Sequence, residues 1–134
     1  MQQGNFLRFI PPVLAGGDIG NKFRYMLVVE YNKQDKVVKM INVSSLKGKE
    51  QNLLYSSNIE INNYLPLPVP SFAKVNTLYI IDYFKDLEKY IAFKGQTLGN
   101  IQFKYIDEYR LNYMKSKKVD IIQYTEEEFR KINN

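Results

Sequence analysis

Asn21-Lys22-Phe23-Arg24-Tyr25-Met26-Leu27-Val28-Val29-Glu30-Tyr31, then the polar run Asn32 to Lys36, then Val37-Val38-Lys39-Met40-Ile41-Asn42-Val43, is the stretch that decides the fold. β-Branched and aromatic residues dominate both apolar runs, and such side chains fit the pleated, half-buried surface of a strand. Asn and Asp in the short polar spacer suit a reversal, so the pair reads as an antiparallel hairpin.

Outward from the hairpin, Asn5 to Ile10 is a short apolar segment halted by Pro11-Pro12. The Gly-rich loop from Ala15 to Asn21 then reads as an irregular path suited to a lid or substrate rim. Downstream, Asn58 to Ile61 alternates like a short strand. The prolines at 66, 68 and 70 lack donors and exclude the next segment from a sheet interior. Phe72 to Val75 and Leu78 to Asp82 read as one buried strand, and Tyr90 to Phe93 as another ended by Gly95. Five or six short strands predict a small, strongly curved antiparallel sheet or open barrel.

Helical spacing takes over from Thr97. Leu98, Ile101, Tyr105, Tyr109 and Tyr113 fall on one face, widened by Ile106 and Met114. Thr97 is placed to cap this long helix, and Lys115, Lys117 and Lys118 suit the negative end of its dipole. Thr125 followed by Glu126, Glu127 and Glu128 has the form of a capping box and predicts a C-terminal helix. The fold class is therefore α+β, with one domain over 1–134, the size of a single core.

The chain has no His and no Cys, which excludes thiol nucleophiles and the usual zinc ligands and leaves no disulfide framework. Neither a metal nor another cofactor is expected. With 19 Lys and Arg against 14 Asp and Glu, the formal charge is +5 at pH 7, a surface that attracts polyanions. No apolar run reaches the ~20 residues of a membrane span, and the first residues lack the pattern of a secretion signal. The expected location is the cytoplasm.

Cations at the mouth of one strand, with hydroxyls and cations after the next, form a kit for holding and cutting a phosphodiester. Lys22 or Arg24 suits stabilisation of charge on phosphate oxygens. Ser44 and Ser45 suit hydrogen bonds to those oxygens, and Lys47 a second cation or a general acid. Tyr25 is a candidate for stacking on a base, and Lys33, Lys36, Lys39, Lys49, Lys115, Lys117 and Lys118 for phosphate contacts. Each has a plainer reading. The cations suit a solvated surface, the serines a turn, and the tyrosines a core.

The order of a Gly-rich loop, a strand opened by Lys22 and Arg24, a hairpin ending in Ser44-Ser45, the strand Asn58-Ile59-Glu60-Ile61, the segment Ser71-Phe72-Ala73-Lys74-Val75 leading to Tyr79-Ile80-Ile81-Asp82, and a helix after Leu98 resembles the PemK/MazF superfamily of ribonuclease toxins over nearly the whole chain. Lys22 and the pattern Ser44-Ser45-x-Lys47 are most similar to the type III group, the ToxN, AbiQ, CptN and TenpN toxins. Arg24 is followed by Tyr25 where the MazF branch has Pro, and Ser45 stands where that branch has Thr. The resemblance implies a metal-independent, sequence-specific endoribonuclease acting in phage defence. It would leave a 2′,3′-cyclic phosphate and be inhibited by an antitoxin RNA in a multimeric toxin–RNA assembly. A MazF-like toxin with a small acidic protein antitoxin, and a non-catalytic RNA-binding domain on the same fold, are the alternatives.

Overall fold

The computed structural model describes residues 1–14 and 20–134. Six strands form one sheet: β1 (Phe6–Phe9), β2 (Arg24–Asn32), β3 (Val37–Ser45), β4 (Asn58–Ile61), β5 (Ser71–Asp82) and β6 (Asp120–Tyr124). Two α-helices accompany it among the described residues, α1 (Asn100–Ser116) and α2 (Glu126–Asn133). The expected α+β class holds. The sheet is mostly antiparallel, as expected, and is not closed into a barrel: its order is β1-β2-β3-β5-β4, with β6 added as a parallel strand to β5.

The hairpin forms as its residues dictate, with Tyr25 opposite Val43 and Asn32 opposite Val37, and a register shift between Val28 and Glu30. β5 is the spine. One of its edges is paired by β3 along both halves, and the other is shared, with β4 against Ser71 to Lys74 and β6 against Thr77 to Ile81.

Because side chains alternate across a strand, β2 and β3 feed two cores. Tyr25, Leu27, Val29, Ile41 and Val43 face one, which α1 covers with Phe103, Ile106, Tyr109 and Tyr113. Met26, Val28, Val38 and Met40 face the other, which α2 covers with Phe129. The Phe129 ring lies 5.0 Å from those of both Phe9 and Tyr90.

Three local expectations are corrected. Tyr90 to Phe93 is not a strand but a pair of 3-10 turns, Lys85–Tyr90 and Phe93–Gly95, because Phe93 and Lys94 take positive φ and only Ile91 bridges to Leu7. Thr97 does not cap α1, whose N-cap is Gly99 with no side-chain hydrogen bond. The inward face of α1 carries Gln102, Ile106 and Arg110 with Tyr109 and Tyr113 beside them, whereas Ile101, Tyr105 and Met114 are exposed. Buried Arg110 displaces the expected stripe by pairing with Asp107 at 2.8 Å and Glu30 at 3.5 Å. The capping box at Thr125 forms as expected, the Glu128 amide donating to Thr125 Oγ1 and the Thr125 amide to Glu128 Oε1. No helix among the described residues is long and apolar enough to cross a membrane.

Candidate phosphate-binding site

The face covered by α2 turns polar at one end. Beyond Met26 and Met40, the residues on this side of β2 and β3 are Arg24, Asn42 and Ser44, and Lys74 stands directly opposite Asn42 on β5. A pocket of about 220 Å³ opens here, lined by Leu14, Arg24, Asn42, Lys74, Asn76, Thr77 and Tyr79. β5 reaches it through its irregular middle. Ala73 and Val75 belong to the α1 core while Tyr79 and Ile81 belong to the α2 core, so the strand changes face between them, where Asn76 and Thr77 stand.

Lys74 is half-buried, and its pKa is lowered from 10.5, first by desolvation and then by the positive charges of Arg24, Lys49 and Lys22. Four cations from three separate segments therefore share one region. Two buried atoms beside them have no hydrogen-bond partner among the described residues, Arg24 Nε and Asn42 Oδ1. Asn42 is only 4% exposed, so its lone acceptor is held away from bulk water. An unsatisfied buried polar atom costs stability, and such costs concentrate where a ligand completes the bonding.

Among the residues expected from sequence, Arg24 lines the pocket, and Ser44 is buried at the polar end of the same face. Lys22 and Lys49 are exposed and do not line the pocket, but are close enough for their charges to act on Lys74. Ser45 is engaged in a turn, its Oγ accepting from the Lys47 amide at 3.2 Å, and the exposed Lys47 is not among the charges acting on Lys74. Tyr25 projects to the opposite face and stacks on Phe93, with ring centroids 5.2 Å apart. Lys33 and Lys36 lie in the hairpin turn, at the far end of β2 and roughly 25 to 30 Å from Arg24 by the rise of a strand. Lys39 pairs with Glu30 at 3.9 Å. Lys115 stands in the last turn of α1, with Lys117 and Lys118 just beyond; none of the three lines the pocket, and Lys117 lines a separate cavity with Ser56, Tyr109 and Tyr113. Most of the Gly-rich loop expected to act as a lid lies outside the described residues.

Lys74, Asn42, Asn76 and Thr77 were not singled out as site residues by sequence reasoning. The available signal was polarity out of place: a Lys between Ala73 and Val75, and an Asn between Ile41 and Val43, inside runs that otherwise read as buried strand. Compared with known protein families and with curated protein sequences, the chain gives no match.

Proposed function

We propose that this protein is a metal-independent endoribonuclease that cleaves RNA by attack of a 2′-OH on the adjacent phosphorus. The observation that carries the reading is a polar pocket lined by Arg24 and Lys74, with the pKa of that lysine lowered by desolvation and by the charges of Arg24, Lys49 and Lys22. Two cations lining a pocket this small, with the charges of Lys22 and Lys49 acting on one of them, suit a phosphate diester, and a phosphorane adds a negative charge that such a preorganised set stabilises more than the ground state.

In this mechanism the Arg24 guanidinium and the Ser44 hydroxyl bind the non-bridging oxygens. Lys74, whose charged form is disfavoured by burial and by its cationic neighbours, takes the proton of the 2′-OH as general base in its amine form. The 2′-oxygen bonds to phosphorus, the bond to the 5′-oxygen breaks, and Lys22 returns a proton to that leaving oxygen. The products are a 2′,3′-cyclic phosphate and a 5′-OH. Without His in the chain, Lys supplies the proton-transfer chemistry that His provides elsewhere.

Together with the order of strands and motifs that resembles the PemK/MazF toxins, this reading makes the chain a toxin of the type III kind, held inactive by an RNA bound across the same site. Induced expression in a bacterium is the test. The account expects growth arrest that Arg24→Ala and Lys74→Met each relieve, with Lys22→Ala relieving it in part. Full toxicity of both folded pocket variants at equal abundance would refute the site.

A further inference from the structure

The mechanism above gives no role to Asn42, Asn76, Thr77 or Tyr79 of the pocket lining, and of these Asn42 carries a buried side-chain atom with no hydrogen-bond partner among the described residues. The residue is 4% exposed, and it sits in mid-strand between Ile41 and Val43 where an apolar residue would pack at no polar cost. Its Oδ1 is a buried acceptor without a donor among the described residues, it lines the pocket, and its backbone is paired with that of Lys74 on the neighbouring strand. Neighbours across a ladder project to the same face with Cβ atoms about 5 Å apart. The two side chains thus leave neighbouring positions on one face, and both line the same small pocket.

We propose that Asn42 Oδ1 accepts a hydrogen bond from the ribose 2′-hydroxyl of the nucleotide whose phosphate rests on Arg24, orienting that hydroxyl and making the site selective for ribose over deoxyribose. A hydroxyl fits the geometry because it both donates and accepts. Its hydrogen bonds to Asn42 in the bound state, and its oxygen accepts from Lys74 while that lysine is protonated. When Lys74 is neutral it takes the hydrogen instead, so Asn42 acts before the proton moves and not during the transfer. Deoxyribose leaves Asn42 Oδ1 unpaired in the bound complex, a loss that a site built around a hydroxyl converts into discrimination.

The inference rests on the phosphate-binding reading of the pocket, and the following experiment separates the two. Nucleoside 3′-monophosphates carry the hydroxyl and the phosphate but no leaving nucleotide, so they bind without being cut. Calorimetric titration of the folded protein with a nucleoside 3′-monophosphate and with its 2′-deoxy analogue should show about tenfold tighter binding of the ribose form, equivalent to about 1.4 kcal/mol. Asn42→Leu, similar in volume, should bind the deoxy analogue as the unchanged protein does and lose the preference. Asn42→Asp keeps an acceptor and should keep the preference while weakening both ligands through charge repulsion. Equal binding of the two ligands, still abolished by Arg24→Ala, would overturn the role of Asn42 and leave the phosphate site standing. A preference that persists in Asn42→Leu would do the same. Failure of both ligands to bind, or binding indifferent to Arg24→Ala, would overturn both the inference and the reading beneath it.

Discussion

At Lys74, stability and chemistry pull in opposite directions. Its charged form is disfavoured by desolvation and by Arg24, Lys49 and Lys22, so its folded pKa lies below the 10.5 it has when exposed. In the window between those two values the unfolded chain binds more protons, so stability rises with pH there, and below that window the penalty is fully present. Lys74→Met should therefore raise the unfolding midpoint, by about 2 to 4 °C, while lowering cleavage at least a hundredfold. Thermal denaturation and a cleavage assay on the same preparation check this, and a lowered midpoint would contradict the electrostatic account. The same sign governs activity. A general base works as the free amine, so the rate should climb with pH and level off below 10.5, and Lys74→Met should remove that limb. Asn42 and Lys74 were hard to find from sequence because pattern reading assigns a strand by its apolar majority and passes over the minority residue. Arg24 and Lys22 were readable because they stand at a strand's mouth, where a charge needs no partner inside the fold.

Elements built from local signals were the legible ones. The β2–β3 hairpin follows from two β-rich runs and a polar spacer, and β4 at Asn58–Ile61 from plain alternation. The start of α2 follows from Thr125 and Glu128, which bond each other's backbone amides. Thr125→Ala should cost about 1 kcal/mol in chemical denaturation with activity unchanged, since α2 covers the apolar end of its face and not the polar one. What was not legible depended on distant partners. β6 is five mostly exposed residues whose only claim to be a strand is the parallel edge of β5. The inward face of α1 includes an arginine that tertiary pairing with Glu30 makes tolerable, whereas periodicity counts arginine as outward. The approach to β2 is set by sterics that spacing does not reveal. A Cβ on Gly20 would lie 1.7 Å from the Pro11 carbonyl oxygen, so Gly20→Ala must displace the backbone that leads into Lys22 and Arg24. That variant should lose activity out of proportion to its loss of stability, measured by comparing cleavage at a temperature where both proteins remain folded.

For the whole molecule, the +5 charge is divided by the fold into unequal parts. Arg24 and Lys74 line the pocket and Lys22 and Lys49 lie within electrostatic reach of Lys74, while Lys33 and Lys36 sit at the opposite end of the hairpin. RNA affinity should fall steeply with salt, each phosphate-contacting cation adding about 0.7 to the slope against log salt for a single strand. Removing Lys22 and Lys49 should lessen that slope, and removing Lys33 and Lys36 should leave it unchanged. The most direct measurement of the central claim is to incubate the purified protein with RNA in EDTA and determine the ends of the products. The account predicts cleavage that leaves a 2′,3′-cyclic phosphate and a 5′-OH, and that disappears in Arg24→Ala and Lys74→Met. Intact RNA, or products bearing a 5′-phosphate, would contradict it.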